Sequence, residues 1–133
     1  MNSIYLAMKD ITVRRCSWGA FVYLDSLMSI TNTVWEDNSA SELPYYFIND
    51  ETNGGAIAVA GSFLLIKEGN SFINNYAAYN GGAIALLSDY EYHYTVGGIV
   101  WLTSNDSVTF SGNRGFQGNN MYAEPVSSFL VSF

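Results

Sequence analysis

At 133 residues the chain is one domain's worth of polypeptide, and with 49% apolar and 13% charged residues and a mean hydropathy of +0.09 it is expected to fold rather than stay disordered. A formal charge of −7 and a pI near 4.3 argue against nucleic acid and against an anionic membrane surface, because both need clustered Lys and Arg and only Arg14 and Arg15 adjoin. Cys16 is alone, so an internal disulfide and a cysteine zinc site are excluded, and no apolar run reaches the length of a transmembrane helix.

The first ten residues, Met1 to Asp10, have no basic leader and only a short apolar run, so they do not read as a signal peptide. From there on Val, Ile, Thr, Tyr, Phe and Trp recur in short runs broken by Gly, Asn, Asp and Ser, with no helical period sustained over three turns. Pro44 and Pro125 fall in irregular stretches, where a missing N–H does least harm.

Two phrases return in fixed order. The first is small-small-apolar: Ser3-Ile4-Tyr5-Leu6, Gly19-Ala20-Phe21-Val22-Tyr23, Gly55-Ala56-Ile57-Ala58-Val59, Gly82-Ala83-Ile84-Ala85-Leu86 and Asn120-Met121-Tyr122-Ala123. The second sets a small polar residue three places after an apolar or aromatic one: Val13 to Cys16, Trp35 to Asn38, Phe72 to Asn75, Phe110 to Asn113. Trp35, Phe72 and Phe110 are spaced 37 and 38 residues apart, whereas Gly19, Gly55 and Gly82 are spaced 36 and 27. A period that wobbles in this way marks a stacked repeat with loops of unequal length, here about five coils.

Alternation within the first phrase puts Ile57 with Val59, and Ile84 with Leu86, on one face. That face is assigned to the interior, together with Ile4 and Leu6 and with Phe21 and Tyr23. Gly54-Gly55 and Gly81-Gly82 suit corners that demand positive φ or close backbone approach. Asn75 and Asn113 suit tight turns, since Asn tolerates the left-handed region, and stacked Asn side chains can hydrogen-bond from coil to coil. Phe72 and Phe110 are expected to stack inside. A parallel β-helix satisfies all of these demands.

Gly-Gly-Ala-Ile paired with Phe-x-x-Asn resembles the repeat of the chlamydial polymorphic outer-membrane proteins and related surface proteins. The resemblance covers roughly residues 18–123, with intact copies at Gly54–Asn75 and Gly81–Asn113, while Trp35 and Cys16 depart from the pattern. It implies an all-β, right-handed, single-stranded parallel β-helix of the pectin-lyase-like kind and a role in adhesion or surface display.

Two insertions interrupt the coils, near residues 39–53 and 87–98. Solenoid insertions tend to gather on one side and to carry contacts. The second places Asp89, Glu91 and His93 on one face of a strand, which is a weak metal or acid–base candidate, and Tyr90, Tyr92 and Tyr94 on the other. The bland account is a solvated face opposite a packing face. With Tyr45, Tyr46, Tyr76 and Tyr79 in or beside loops, the tyrosines either roof the solenoid or form an interface, with sugar stacking a further reading.

Right-handed β-helices also include polysaccharide lyases and hydrolases. The acidic pairs Glu36-Asp37 and Asp50-Glu51 are sequence neighbours, however, and so sit poorly for paired-carboxylate catalysis. Asn105-Asp106-Ser107 forms an N-glycosylation sequon, and Val126 to Phe133 is an apolar, uncharged strand that includes Phe129 and Phe133. These features predict one β-helix segment over residues 1–133, continued by further coils or capped by a protein partner, with homo-oligomers or filaments and carbohydrate as further partners. No cofactor is expected. The function expected is non-enzymatic, extracellular or at the cell surface, in adhesion or as a structural unit of an assembly. A carbohydrate-active enzyme is the alternative, and an intracellular scaffold the second.

Overall fold

The computed structural model describes residues 4–17, 19–22, 26–40, 53–87, 98–103, 108–124 and 127–131. Coil 1 holds β1 (Tyr5–Lys9), β2 (Thr12–Arg14) and β3 (Ala20–Val22), and coil 2 holds β4 (Leu27–Thr31), β5 (Val34–Glu36), β6 (Ser39–Ala40) and β7 (Ile57–Ala60). In coil 3 come β8 (Phe63–Ile66), β9 (Asn70–Ile73), β10 (Tyr76–Asn80) and β11 (Ile84–Leu87). Coil 4 follows with β12 (Ile99–Leu102), β13 (Val108–Ser111), β14 (Arg114–Gln117) and β15 (Met121–Ala123), and β16 (Ser128–Val131) lies beyond it.

Strands of the same rank pair in parallel from coil to coil, which gives four sheets. Sheet I runs β1-β4-β8-β12-β16, sheet II β2-β5-β9-β13, sheet III β6-β10-β14 and sheet IV β3-β7-β11-β15. The chain visits them in that order and then starts again, which makes the fold a parallel β-helix.

Like residues stack on like. Ile57 registers with Ile84, and Trp35 and Phe110 register with Phe72. Trp35 and Phe72 lie with ring centroids 6.1 Å apart and planes 9° from parallel, and Phe72 and Phe110 follow at 5.4 Å. These rings join Met28, Ile30, Ile57, Val59, Leu64, Ile66, Ile84, Leu86 and Val100 in a single continuous core. Trp35 departs from the Phe of the other copies, and its extra N–H is met locally. Trp35 Nε1 donates to Thr33 Oγ1 at 2.9 Å, and Thr33 Oγ1 donates to Asn70 Oδ1 at 2.8 Å.

The Asn of the second phrase builds a ladder along the corner between sheets II and III. Asn75 Oδ1 accepts Asn38 N–H at 3.1 Å and Asn38 Nδ2 at 3.0 Å. Its Nδ2 donates to the Trp35 carbonyl at 2.9 Å and to Asn113 Oδ1 at 3.0 Å. The pattern repeats above, where Asn113 takes the N–H of Asn75 and donates to the Phe72 carbonyl. At the top Asn113 Nδ2 turns to Asn120 Oδ1, 3.3 Å away. Below, Cys16 occupies the ladder position and gives Asn38 only its backbone N–H, at 3.1 Å.

Positive φ falls one residue before the ladder position, not on it: Arg15 (54°), Asp37 (54°), Asn74 (53°) and Gly112 (67°). Asn38, Asn75 and Asn113 therefore serve by hydrogen bonding, and their predecessors turn the chain, which corrects the sequence expectation.

The Gly-Gly corner divides its labour. Gly81 has φ +66°, a region in which a Cβ is strained, and a Cβ on Gly82 would overlap the Asn119 carbonyl oxygen of the next coil. Gly54 and Gly55 repeat the arrangement one coil earlier, with the Gly82 carbonyl overhead. Backbone bonds run straight through the corner, from Gly55 N to Gly81 O and from Gly82 N to Gly118 O.

Coil 1 departs from the sequence reading in two ways. Ala20 registers with Ile57 and Phe21 with Ala58, so Ala20 and Val22 take the inward places assigned to Phe21 and Tyr23, a slip of one residue. Tyr5 and Leu6 do not join the Gly-Ala-Ile column, because β1 belongs to sheet I and Leu6 registers with Met28, and Ser3 lies outside the described residues. Ile4 and Leu6 are 66% and 51% exposed rather than interior. The insertions are also narrower than expected: Ser39 and Ala40 lie in β6, Leu87 lies in β11, and Asn53 is buried with its Oδ1 accepting Asn80 N–H.

Two changes separate side-chain ladder from backbone corner. Asn75→Ala orphans the polar groups that face it and is expected to cost about 3 kcal/mol or more in urea unfolding, whereas Cys16→Asn adds a rung and is expected to stabilise by about 1 kcal/mol. Gly82→Ala, although it adds one methyl group, is expected to destabilise more than either shifts the midpoint, since only backbone movement can relieve the overlap.

Candidate interaction surface

Several residues singled out from sequence lie outside the described residues: Asp89, Glu91 and His93, the tyrosines Tyr45, Tyr46, Tyr90, Tyr92 and Tyr94, Phe133, and Asn105 of the sequon. Phe129 is placed by its backbone in β16, in register with Val100. Among the described residues no group of three His, Cys, Asp or Glu side chains is gathered to hold a metal, and no helix is long and apolar enough to cross a membrane. The repeat residues Gly54, Gly55, Ile57, Phe72, Asn75, Gly81, Gly82, Ile84, Phe110 and Asn113 are brought together, as the corner and core of the coils.

What remains to meet a partner is the outside, and its faces differ. Sheet II turns out Thr12, Arg14, Val34, Glu36, Ser71, Ile73, Thr109 and Ser111, a mixed and largely polar face on which Thr109 Oγ1 donates to Ser71 Oγ at 3.1 Å. Sheet I is apolar on its outer side, where Phe63 and Leu65 neighbour Ile99 and Trp101 and the rings of Phe63 and Trp101 lie 6.4 Å apart. On sheet IV, Ala58, Ala60, Ala85 and Leu87 form a second buried cluster on the side opposite the core.

Sheet III carries three exposed aromatics, Tyr76, Tyr79 and Phe116, while Tyr5 and Trp101 are exposed on sheet I. Tyr76 and Tyr79, expected in or beside loops, stand in β10 instead. Strict alternation from Tyr76 would turn Tyr79 inward. The register irregularity between Ala77 and Asn80 adds a residue relative to β14 and restores Tyr79 to the outside. Its ring lies 6.3 Å from that of Phe116 on the next coil, at 33°. Phe116 is 78% exposed and Tyr79 57%. Arg114, in register with Tyr76, and Gln117, in register with Asn80, are exposed on the same strand as Phe116.

Phe116 escaped the sequence reading because Arg-Gly-Phe-Gln lacks both repeat phrases. Aligning Tyr79-Asn80-Gly81 with Phe116-Gln117-Gly118 would have found it, since Gly81 and Gly118 share the same positive φ, at 66° and 67°. If the ridge is a surface and not a packing element, Phe116→Ser is expected to leave the thermal midpoint unchanged within about 0.5 kcal/mol of stability. Phe72→Ser in the same scan is expected to unfold the chain.

Comparison with known proteins gives one match. Residues 71–86, from β9 through the Gly-Gly corner to Leu86, match the Chlamydia polymorphic membrane protein repeat. No curated protein and no solved structure matches the chain. The matched stretch contains Phe72, Asn75, Gly81, Gly82 and Ile84, the residues that form ladder, corner and core in coil 3. Residues 71–86 thus match a Chlamydia polymorphic membrane protein repeat, and they fold as part of one turn of a parallel β-helix.

Proposed function

We propose that this chain is a non-enzymatic β-helix segment of a cell-surface protein, working in adhesion or as a structural unit of an extracellular assembly. The observation that carries the proposal is the polymorphic membrane protein repeat at residues 71–86, which belongs to a family of membrane proteins and lies in the coil that also exposes Tyr76 and Tyr79. A rigid stack with paired backbone inside and differing side chains outside suits display of a contact surface. Protein partners fit the same reading, because the outer side of sheet I offers Trp101 and Leu130 to solvent at 38% and 44% exposure.

Two measurements test it. On intact cells that make the full-length protein, added protease is expected to remove it while a cytosolic marker survives; a protein spared until the cells are lysed would instead support the intracellular scaffold. Beads coated with the purified chain are expected to bind cells more than bare beads do. The enzyme alternative is tested by incubating the chain with polysaccharides: chain cleavage abolished by Asp89→Asn together with Glu91→Gln would overturn the non-enzymatic reading.

A further inference from the structure

We infer that the open edge of β1 is a docking site for an extended, acidic segment of another protein, which joins sheet I as a further strand. This gives the adhesion reading a partner class and rests on that reading. In a parallel pair, alternate residues turn both N–H and C=O to the same neighbour. The Ile4 carbonyl accepts Leu27 N–H at 2.9 Å and Asp10 N–H donates to the Thr31 carbonyl at 3.2 Å, so Leu6 and Met8, which share their phase, bond β4. Tyr5, Ala7 and Lys9 therefore point their backbone groups the other way, to the side on which β1 has no neighbouring strand among the described residues. Side chains are uncovered there as well. Leu6 stands in register with Met28, which is 2% exposed, yet is itself 51% exposed, and Tyr5 is 61% exposed.

The backbone selects the class of occupant. Donors and acceptors alternating along one line at the two-residue repeat of a strand are matched by another extended polypeptide; a sugar chain or a lipid surface offers no such row. Charge then sets its composition. Residues 4–17 carry Lys9, Arg14 and Arg15, all exposed, against Asp10 alone, and Asp10 Oδ1 is taken by Asn32 Nδ2 at 2.7 Å. That end of the stack is +2, three cations less one carboxylate, on a chain whose total is −7, which leaves −9 for the remainder. Carboxylates are drawn to it, whereas a second copy meeting it edge to edge would bring the same cations face to face. The corner, finally, favours a single strand over a whole coil of this repeat. Each corner N–H is accepted by the Asn Oδ1 of the next coil, from Cys16 to Asn38, Asn38 to Asn75 and Asn75 to Asn113, but Cys16 has no side-chain carbonyl to offer a coil beneath it.

The test is titration of the purified full chain with an octapeptide that alternates valine with glutamate, read by affinity and by amide hydrogen exchange. Binding is expected to slow exchange at Tyr5, Ala7 and Lys9 and to leave Leu6 and Met8, already bonded to β4, unchanged. The same peptide with lysine in place of glutamate is expected to bind about tenfold more weakly. Ala7→Pro removes an edge N–H and spares the bonds to β4, so it is expected to weaken binding about tenfold with the thermal midpoint little changed. Lys9→Glu together with Arg14→Glu is expected to reverse the preference between the two peptides. Absence of binding at millimolar acidic peptide would overturn the inference, as would equal binding of the lysine peptide, slowed exchange away from β1, or unchanged affinity in Ala7→Pro. A chain that sediments as a dimer, and as a monomer with Ala7→Pro, would overturn it in favour of a second copy. None of these failures touches the protease test of surface display, so the two readings can fall separately.

Discussion

The coil-to-coil amide bonds at the corner between sheets II and III are what the rest of the structure depends on. Along a strand, parallel pairing uses every backbone group without help. At a corner the chain turns, and N–H and C=O groups that cannot reach the next coil would be buried unpaired. The side chain of Asn75 makes four hydrogen bonds there: two meet such backbone groups, the Asn38 N–H and the Trp35 carbonyl, and two meet the side chains of Asn38 and Asn113. Because Asn38, Asn75 and Asn113 hold one another, each fixes the register of the next. A slip by a single residue would break this ladder and also turn Phe72 away from Trp35 and Phe110.

A constraint on register is not a constraint on length, which explains the uneven period. Val13 registers with Trp35 after 22 residues, and the ladder residues Asn38, Asn75 and Asn113 follow one another after 37 and 38. What happens between corners is free as long as the chain returns on register. Among the described residues coil 1 has no sheet III strand between the Cys16 corner and β3, and Ala20 N–H still finds the Ala56 carbonyl at 2.8 Å. This shortcut is also why the alignment on glycines failed there. Gly19 was matched to Gly55, whereas the shortened corner sets it beside Ala56, where a Cβ on Gly19 would overlap the Ala56 carbonyl oxygen. Residue type was legible and register was not, since Gly is required at both places for the same steric reason.

Elsewhere the sequence spoke in proportion to how local the chemistry was. Gly54-Gly55, Gly81-Gly82, Phe72 and Asn75 were readable because each residue's job is set by its own coil and repeated in the next. Ile4 and Leu6 were misread because alternation shows which side a residue faces but not whether a coil lies beyond to cover it. The left-handed residues Arg15, Asp37, Asn74 and Gly112 share no side-chain chemistry, so only the backbone reveals them as one column. Phe116 is the extreme case. Its neighbourhood consists of Tyr79, 37 residues earlier, and no local pattern announces it.

That separation of inside from outside bears on how function could sit on such a scaffold. Removing a buried ring such as Phe72 costs about 3–5 kcal/mol, a large share of a domain's stability, while a change at a largely exposed ring costs a few tenths. Outer side chains are therefore nearly independent of the fold, and adjacent coils still set them side by side with the precision of a β-ladder. Phe116, 78% exposed beside Tyr79, is such an outer side chain, set in place by the ladder but not needed by the core. On the outer face of sheet II, likewise, Thr109 and Ser71 hydrogen-bond each other beside the apolar Val34 and Ile73, without reaching the core.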